Sequence, residues 1–405
     1  MSLFQYMVKV KGEIGIEPFL VSSAPGRADF LNTHQDYKGL PVVPIAVSLR
    51  TYVFATRKLE GEFRVISLNL KEENKEYIDT FKLDDVRLEG GKWFGDYFRA
   101  VVIAMSKRFK TLEKGLEVTV DSNVPIASGL ASSAALEVAF TKLLDEYYGL
   151  SLTKKEVAEV SYSAEREVMG IPCGRLDQYG SAYGGAILLY PRPPVRVETL
   201  PLKDLNMVIV DTGIRHSVSD IHPRRQEEID RGLKALLSSE RVPVELKRKL
   251  GPVHYEVKWE SIELEEVRPY LSLLDDVAAK RILFTIMMNE STKEALNLIR
   301  KGVVKDLSIL GNIVNQQHEL LRDLYDVSLP EIEHIRNAML NAGALGVKIS
   351  GAGLGGCLIA LVKNREEGKN VLNRAMEAGA LRGWVVKIDE GVRIEYEGTW
   401  PRATN

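Results

Sequence analysis

Cysteine is nearly absent: Cys173 and Cys357 are the only two in 405 residues, and neither has CxxC or His-cluster spacing. That excludes a disulfide framework and a thiolate zinc site, and reads both as small buried side chains. A surplus of one charge is also missing. Lys and Arg number 54 against 56 Asp and Glu, for a net charge of -2 with no long like-charge block, which argues against nucleic acid as a partner. The first twenty residues interrupt their apolar content with Lys9, Lys11, Glu13 and Glu17, so neither a signal-peptide core nor a membrane span is expected, and a cytoplasmic location is. Repeats and low-complexity tracts are lacking too.

What is present is a composition of 45% hydrophobic and 27% charged residues, over a length that calls for two domains. Strand-like runs at 42–47, 52–56, 63–68 and 116–120 alternate with helical ones at 95–109, 134–148 and 154–168. The Pro-rich 191–201 cannot sustain a helix and reads as a crossing between domains, placed at 1–195 and 196–405. After a strand at 207–211, residues 223–274 read as charged and irregular. Helical periodicity returns over 276–301 and 304–324, and strands at 347–349, 357–362 and 384–388 finish the chain. The fold class is α+β, with helices against an antiparallel sheet in the second domain.

Residues 123–140, NVPIASGLASSAALEVAF, hold the most chemical information. Pro125 and Gly129 make a turn before an apolar-periodic helix, Ala131 and Ala134 keep it uncrowded, and Ser128, Ser132 and Ser133 carry hydroxyls able to donate to phosphate or to ligate hydrated Mg²⁺. The first N–H groups of a helix lack intrahelical acceptors and sit at the positive end of its dipole, so such a start suits phosphate. It equally suits an ordinary serine cap. No Gly-Lys-Ser/Thr follows, so this is not a Walker loop.

Three other segments bear on the choice. Residues 24–44, APGRADFLNTHQDYKGLPVVP, crowd Arg27, Asp29, Asn32, Thr33, His34, Gln35 and Asp36 onto what reads as a short loop after a Pro-Gly turn, a pattern suited to a polyhydroxylated ligand, with Arg27 able to clamp phosphate. In 163–185, SAEREVMGIPCGRLDQYGSAYGG, Glu165 reads as helical and Asp177 as part of a Gly-rich turn, and such a pair can supply a proton acceptor and a metal ligand. The glycines of 348–357, KISGAGLGGC, allow another close-approach loop.

In this order and spacing the four segments resemble the GHMP small-molecule kinase superfamily, and within it the galactokinases: PGRxNLIGEHTDYxxG, PxGxGLSSSAA, AExxxGxxCGIMDQ and TGAGFGGC. Residues 315–327, NQQHELLRDLYDV, and 211–225, DTGIRHSVSDIHPRR, are similar to two further family motifs. The resemblance implies a two-domain GHMP kinase fold, with an N-terminal domain like ribosomal S5 domain 2 and a ferredoxin-like C-terminal domain. It implies an ATP- and Mg²⁺-dependent kinase acting on the anomeric hydroxyl of galactose or a close relative, as a monomer or homodimer. Asp177 matches the catalytic carboxylate and Arg27 the group that stabilises phosphoryl charge. Ser133 and Glu165 match the Mg²⁺ positions. Residues Ser128, Gly129, Leu130, Ala131, Ser132, Ser133 and Ala134, with Gly351 and Gly353, match the ATP loops, and Trp93 an adenine wall. His34, Asp36 and Gly174 match sugar contacts.

Two departures bear on the sugar. Thr33 stands where the family has the Glu of Gly-Glu-His, and Arg175 where it has Ile; His222 lies nearest the position of a sugar-contacting Tyr. Loss of an anion and gain of a cation better accommodate a carboxylate at C6, as in galacturonate, than galactose requires; Thr33 equally suits a neutral 6-hydroxyl, and Arg175 equally suits a place inside the protein or a pair with Asp29. L-Arabinose and N-acetylgalactosamine are further alternatives. A non-catalytic galactose and ATP sensor is the rival of another class, and the intact Ser132-Ser133-Ala134-Ala135 run with Asp177 speaks against it.

Overall fold

The computed structural model describes residues 2–109, 112–126, 128–214, 218–301 and 307–398. Twelve strands are described: β1 (Leu20–Leu31), β2 (Val43–Glu60), β3 (Glu62–Ser67), β4 (Ile78–Lys82), β5 (Lys114–Ser122), β6 (Ile187–Tyr190), β7 (Arg196–Thr199), β8 (Asn206–Asp211), β9 (Gly346–Ser350), β10 (Cys357–Val362), β11 (Arg382–Lys387) and β12 (Arg393–Glu397). Six form one sheet in the order β12-β1-β2-β5-β3-β4, antiparallel except for the β3–β5 pair. Four form a second sheet in the order β11-β8-β10-β9, antiparallel throughout. Its strand order, with helices between β8 and β9 and between β10 and β11, is the ferredoxin-like arrangement expected of the second half.

Four sequence expectations change here. The strand runs at 42–47 and 52–56 are one strand, because Ser48 is the only exposed residue in an otherwise buried stretch from 43 to 53 and makes no break. The segment 191–201 is the turn and second strand of a small β6–β7 hairpin, so the 195/196 boundary falls between paired strands. The last strand, β12, leaves the second half and pairs with β1. Residues 223–274 begin as helix, Val218–Ser238, with Pro223 inside it, and become irregular only afterwards. There Val257 and Trp259 make a satellite core against Ile282 and Ile286.

The two sheets share apolar packing. Ala28, Phe30 and Ile45 of the first sheet, with Leu130, meet Met207, Ile209, Cys357 and Ile359 of the second in one buried cluster. Each such side chain contributes about 1.5–3 kcal/mol on burial, so the junction is a core and not a hinge of polar contacts. The helix Asp276–Arg300 feeds three separate clusters, which explains why its sequence is apolar on several faces. Cys357 is buried, as expected, and Cys173 is half-buried.

Candidate active site

Arg27 follows an irregularity in the β1–β2 pairing. Pro25 pairs with Arg50 but Arg27 with Ala46, so residues 47–49 of β2 stand opposite Gly26 alone and the ladder is distorted just before Arg27. The Pro-Gly pair is thus a kink within a strand and not a turn before a loop. Only Gly tolerates the site, since a Cβ there would stand 2.9 Å from the Leu130 carbonyl oxygen. From this strand Arg27 donates from Nε (2.9 Å) and Nη2 (2.6 Å) to Oδ1 of Asp177, and from Nη1 to the Gly129 carbonyl at 2.6 Å. Burial works against the Arg27 charge, yet Asp177 and Asp29 outweigh it and raise its pKa. Asp177 lies in the first turn of the helix Leu176–Tyr183, not in a turn, and its Oδ2 is left for another partner.

The helix Ser132–Tyr148 begins without a side-chain cap. Its N-cap, Ala131, adopts φ 56° and ψ 51°, a left-handed conformation rare for a residue with a Cβ. The Ser128 hydroxyl is committed to the Pro125 carbonyl (2.7 Å), and Leu130 is buried in the shared core. The start of the helix therefore presents N–H donors and the hydroxyls of Ser132 and Ser133 to a cavity of about 350 Å³. Leu130 and Ala134 are buried and do not line it. The loop 350–356 closes the same end: Gly351 and Gly353 line the cavity, and a Cβ on Gly129 would come within 2.3 Å of the Ser350 carbonyl oxygen.

At the other end stand His34, Asp36, Tyr37, Gly174 and His222. His34 contacts the Ala352 carbonyl through Nε2 (3.1 Å) and the Tyr37 hydroxyl through Nδ1 (3.2 Å), and its ring centroid lies 5.2 Å from that of His222. Burial lowers the pKa of both rings, that of His222 to about 4, so they meet a ligand as neutral groups. The His222 helix is tied down by Arg225, which donates to the Tyr325 carbonyl and pairs with Glu228. Residues 215–217 of the motif preceding it lie outside the described residues. Burial, reinforced by Asp29 and Asp177, moves the Asp36 carboxyl up to about 7. A Cβ on Gly174 would sit 1.7 Å from Asp36 Oδ2. Gly174→Ala is accordingly expected to displace Asp36 from the cavity wall, a movement that a crystal structure of the variant reads directly.

Glu165 occupies a short π-helical turn, Ala164–Val168, that ends the preceding helix early. Its carboxylate accepts from Ser133 Oγ (3.1 Å) and Gln178 Nε2 (2.6 Å), and burial, with Asp177 adding to it, raises its pKa to about 7. One hydroxyl and one carboxylate beside the cavity fit Mg²⁺, which prefers few protein oxygens and keeps the rest of its shell for water and phosphate.

Three expected residues lie elsewhere. Thr33 is fully buried and accepts from Lys348 Nζ at 2.7 Å; the same ammonium bonds the Asp29 carbonyl, so Thr33 braces the junction and does not face the cavity. Arg175 turns away to pair with Glu159 (2.9 Å) and lies over the Tyr162 ring at 4.1 Å. The aromatic face and the nearby carboxylate hold it there. Trp93 lines a separate open groove with Tyr77, a turn before Tyr97, which does line the cavity.

Asp29, on the contrary, was not singled out from its segment and belongs to the site. It is 5% exposed, lines the cavity, and has an Oδ1 with no hydrogen-bond partner. Burial raises its pKa against the pull of Lys348 and Arg27. The signal was the spacing: residues 27 and 29 share one face of a strand, once the segment is read as strand. Gln178, which orients Glu165, also lines up with the closing Gln of the family motif that carries Asp177.

Known proteins agree with this fold. Residues 96–185 match the GHMP kinases N terminal domain, 293–380 the GHMP kinases C terminal family, and 11–57 the galactokinase galactose-binding signature. A galactokinase of Thermotoga neapolitana is 32% identical over 361 residues, spanning 86% of this chain and 92% of that one. A galactokinase of Clostridium perfringens is 28% identical over 365 residues, spanning 89% of each. Among solved structures, Lactococcus lactis galactokinase complexed with galactose superimposes with a TM-score of 0.78 at 25% identity, covering 96% of this chain and 99% of that one. A mevalonate kinase shares the fold alone, at a TM-score of 0.65 and 17% identity. With identity above 30% sustained across most of its length and the signature segment matched where β1 carries Arg27, the chain belongs to the galactokinase family of GHMP kinases, and it is a sugar kinase.

Proposed function

We propose that the enzyme transfers the γ-phosphoryl group of ATP to the anomeric hydroxyl of a neutral galactose-type sugar. The observation that carries this reading is the Arg27–Asp177 pair, placed between an uncapped helix start and a pocket of hydroxyl-binding groups in one cavity. Asp177 Oδ2 accepts the proton of the attacking hydroxyl. Arg27, bonded to the phosphate loop through Gly129, offsets charge on the transferring group. Ser133 and Glu165 are the groups suited to hold Mg²⁺, which when bound neutralises phosphate charge. Trp93 lines its own groove one turn before Tyr97 of the cavity wall, and its part in holding the nucleoside base rests on the family resemblance alone.

The cavity also favours neutral over acidic sugars. The two substitutions that favoured galacturonate face away, and the cavity walls carry Asp29, Asp36 and Asp177 against Arg27 alone among Lys and Arg. A carboxylate at C6 would add a like charge to that set. In an ADP-release assay across sugars, galactose should exceed galacturonate in kcat/KM by about a hundredfold or more; equal turnover of galacturonate would overturn the neutral-sugar assignment.

A further inference from the structure

A second cavity, of about 420 Å³, backs onto the sugar end and shares Asp36, Tyr37, Pro172, Cys173 and Gly174 with it. The close contact of Gly174 with Asp36 forms the partition between the two. Unlike the first cavity, this one is cationic. Arg166, from the π-helical turn, is exposed and has no ion-pair partner among the described residues. Arg192, from the β6–β7 turn, spends Nε and Nη2 on the carbonyls of Gly39, Lys38 and Val257, and its nearest carboxylate, Glu260, is 3.9 Å away. Arg175 is neutralised by Glu159 and Arg192 is held only loosely by Glu260, so of the three guanidinium groups Arg166 alone has no ion pair among the described residues. Tyr255 is 58% exposed at the rim and offers a flat face, and Gln226 an amide with no hydrogen bond to any described residue.

We propose that this second cavity binds a hexose monophosphate, its dianion between Arg166 and Arg192 and its ring against Tyr255. Two guanidinium groups from separate elements match a phosphate dianion better than a single carboxylate. The cavity is also of the size needed for a ring with its phosphate. Because the partition is common to both cavities, an occupant here presses on the groups that face the sugar. The site rests on geometry, and only its kinetic consequence rests on the kinase reading above.

The test is calorimetric titration of the intact protein with galactose 1-phosphate, glucose 6-phosphate and inorganic phosphate, in the presence of saturating galactose and a non-hydrolysable ATP analogue. One equivalent of hexose phosphate should bind, weakened about tenfold or more by Arg166→Glu and severalfold by Tyr255→Ala, both exposed positions. Inhibition of turnover by the hexose phosphate should persist at saturating galactose. No binding under these conditions, or binding unaffected by Arg166→Glu, would overturn the site. Equal affinity for inorganic phosphate would overturn its sugar component. Failure to turn over galactose would count against the proposed function alone, since the titration repeated on the unliganded protein and its Arg166→Glu variant needs no turnover.

Discussion

Asp177→Asn is expected to lower kcat by about 10²- to 10⁴-fold, the range for removal of a positioned proton acceptor, with ATP affinity changed by no more than about threefold. Two features of the geometry set this apart from a generic loss. Both Arg27 bonds fall on one oxygen, Oδ1, so the amide oxygen of Asn can still hold the guanidinium and the site should stay assembled. What is lost is the basicity of the other oxygen. Nucleotide binding by fluorescence or calorimetry, set beside single-turnover phosphoryl transfer, separates these effects. A variant that keeps a near-normal transfer rate would show that Asp177 only positions Arg27.

The second large effect couples activity to stability. Glu165 has an ordinary pKa of 4.5 that burial raises to about 7 in the folded protein. Between those values the native state holds a proton that the unfolded chain has released. Stability contributed by the neutral form is therefore full below about 4.5 and is lost as pH rises through 7. By pH 8 the cost reaches at most about 3 kcal/mol, at 1.36 kcal/mol per unit. Glu165→Gln removes the titration while keeping a polar group for Ser133. It should leave stability at pH 4.5 nearly unchanged and raise it by about 1–3 kcal/mol at pH 8, read from denaturant midpoints of the ligand-free protein. The same change should cost at least about a hundredfold in turnover, by removing the proposed Mg²⁺ ligand. Lower stability of the variant at pH 8 would refute the buried-carboxylate account. So the carboxylate fits a site built for a cation more than a site built for folding, a trade familiar at active sites.

Much of this site was legible before the fold was known, and the reasons differ by residue. Gly129, Ser132, Ser133, Gly351 and Gly353 declared themselves because close backbone approach needs particular residue types, and the structure brings two backbone loops together there. Asp177 and Glu165 were legible through the family motif, since as single carboxylates they are indistinguishable from solvated ones. Thr33 and Arg175 misled because a substitution in a motif gives identity without direction; their directions are set by Lys348 on β9 and by Glu159 one helix away. Asp29 does not stand out while the polar run of 24–44 reads as a loop, which hides the two-residue repeat that puts it beside Arg27. The return of β12 to β1 had no local signal, as pairing across more than 360 residues is a property of the whole chain.

The central claim is spatial: sugar hydroxyl, Asp177 and phosphate loop meet in one cavity. A crystal structure with galactose, Mg²⁺ and a non-hydrolysable ATP analogue tests it most directly. The account predicts the anomeric oxygen within about 2.6–3.2 Å of Asp177 Oδ2 and the terminal phosphates against the start of the Ser132–Tyr148 helix. A sugar bound with its anomeric oxygen away from Asp177, or phosphates seated elsewhere, would contradict it.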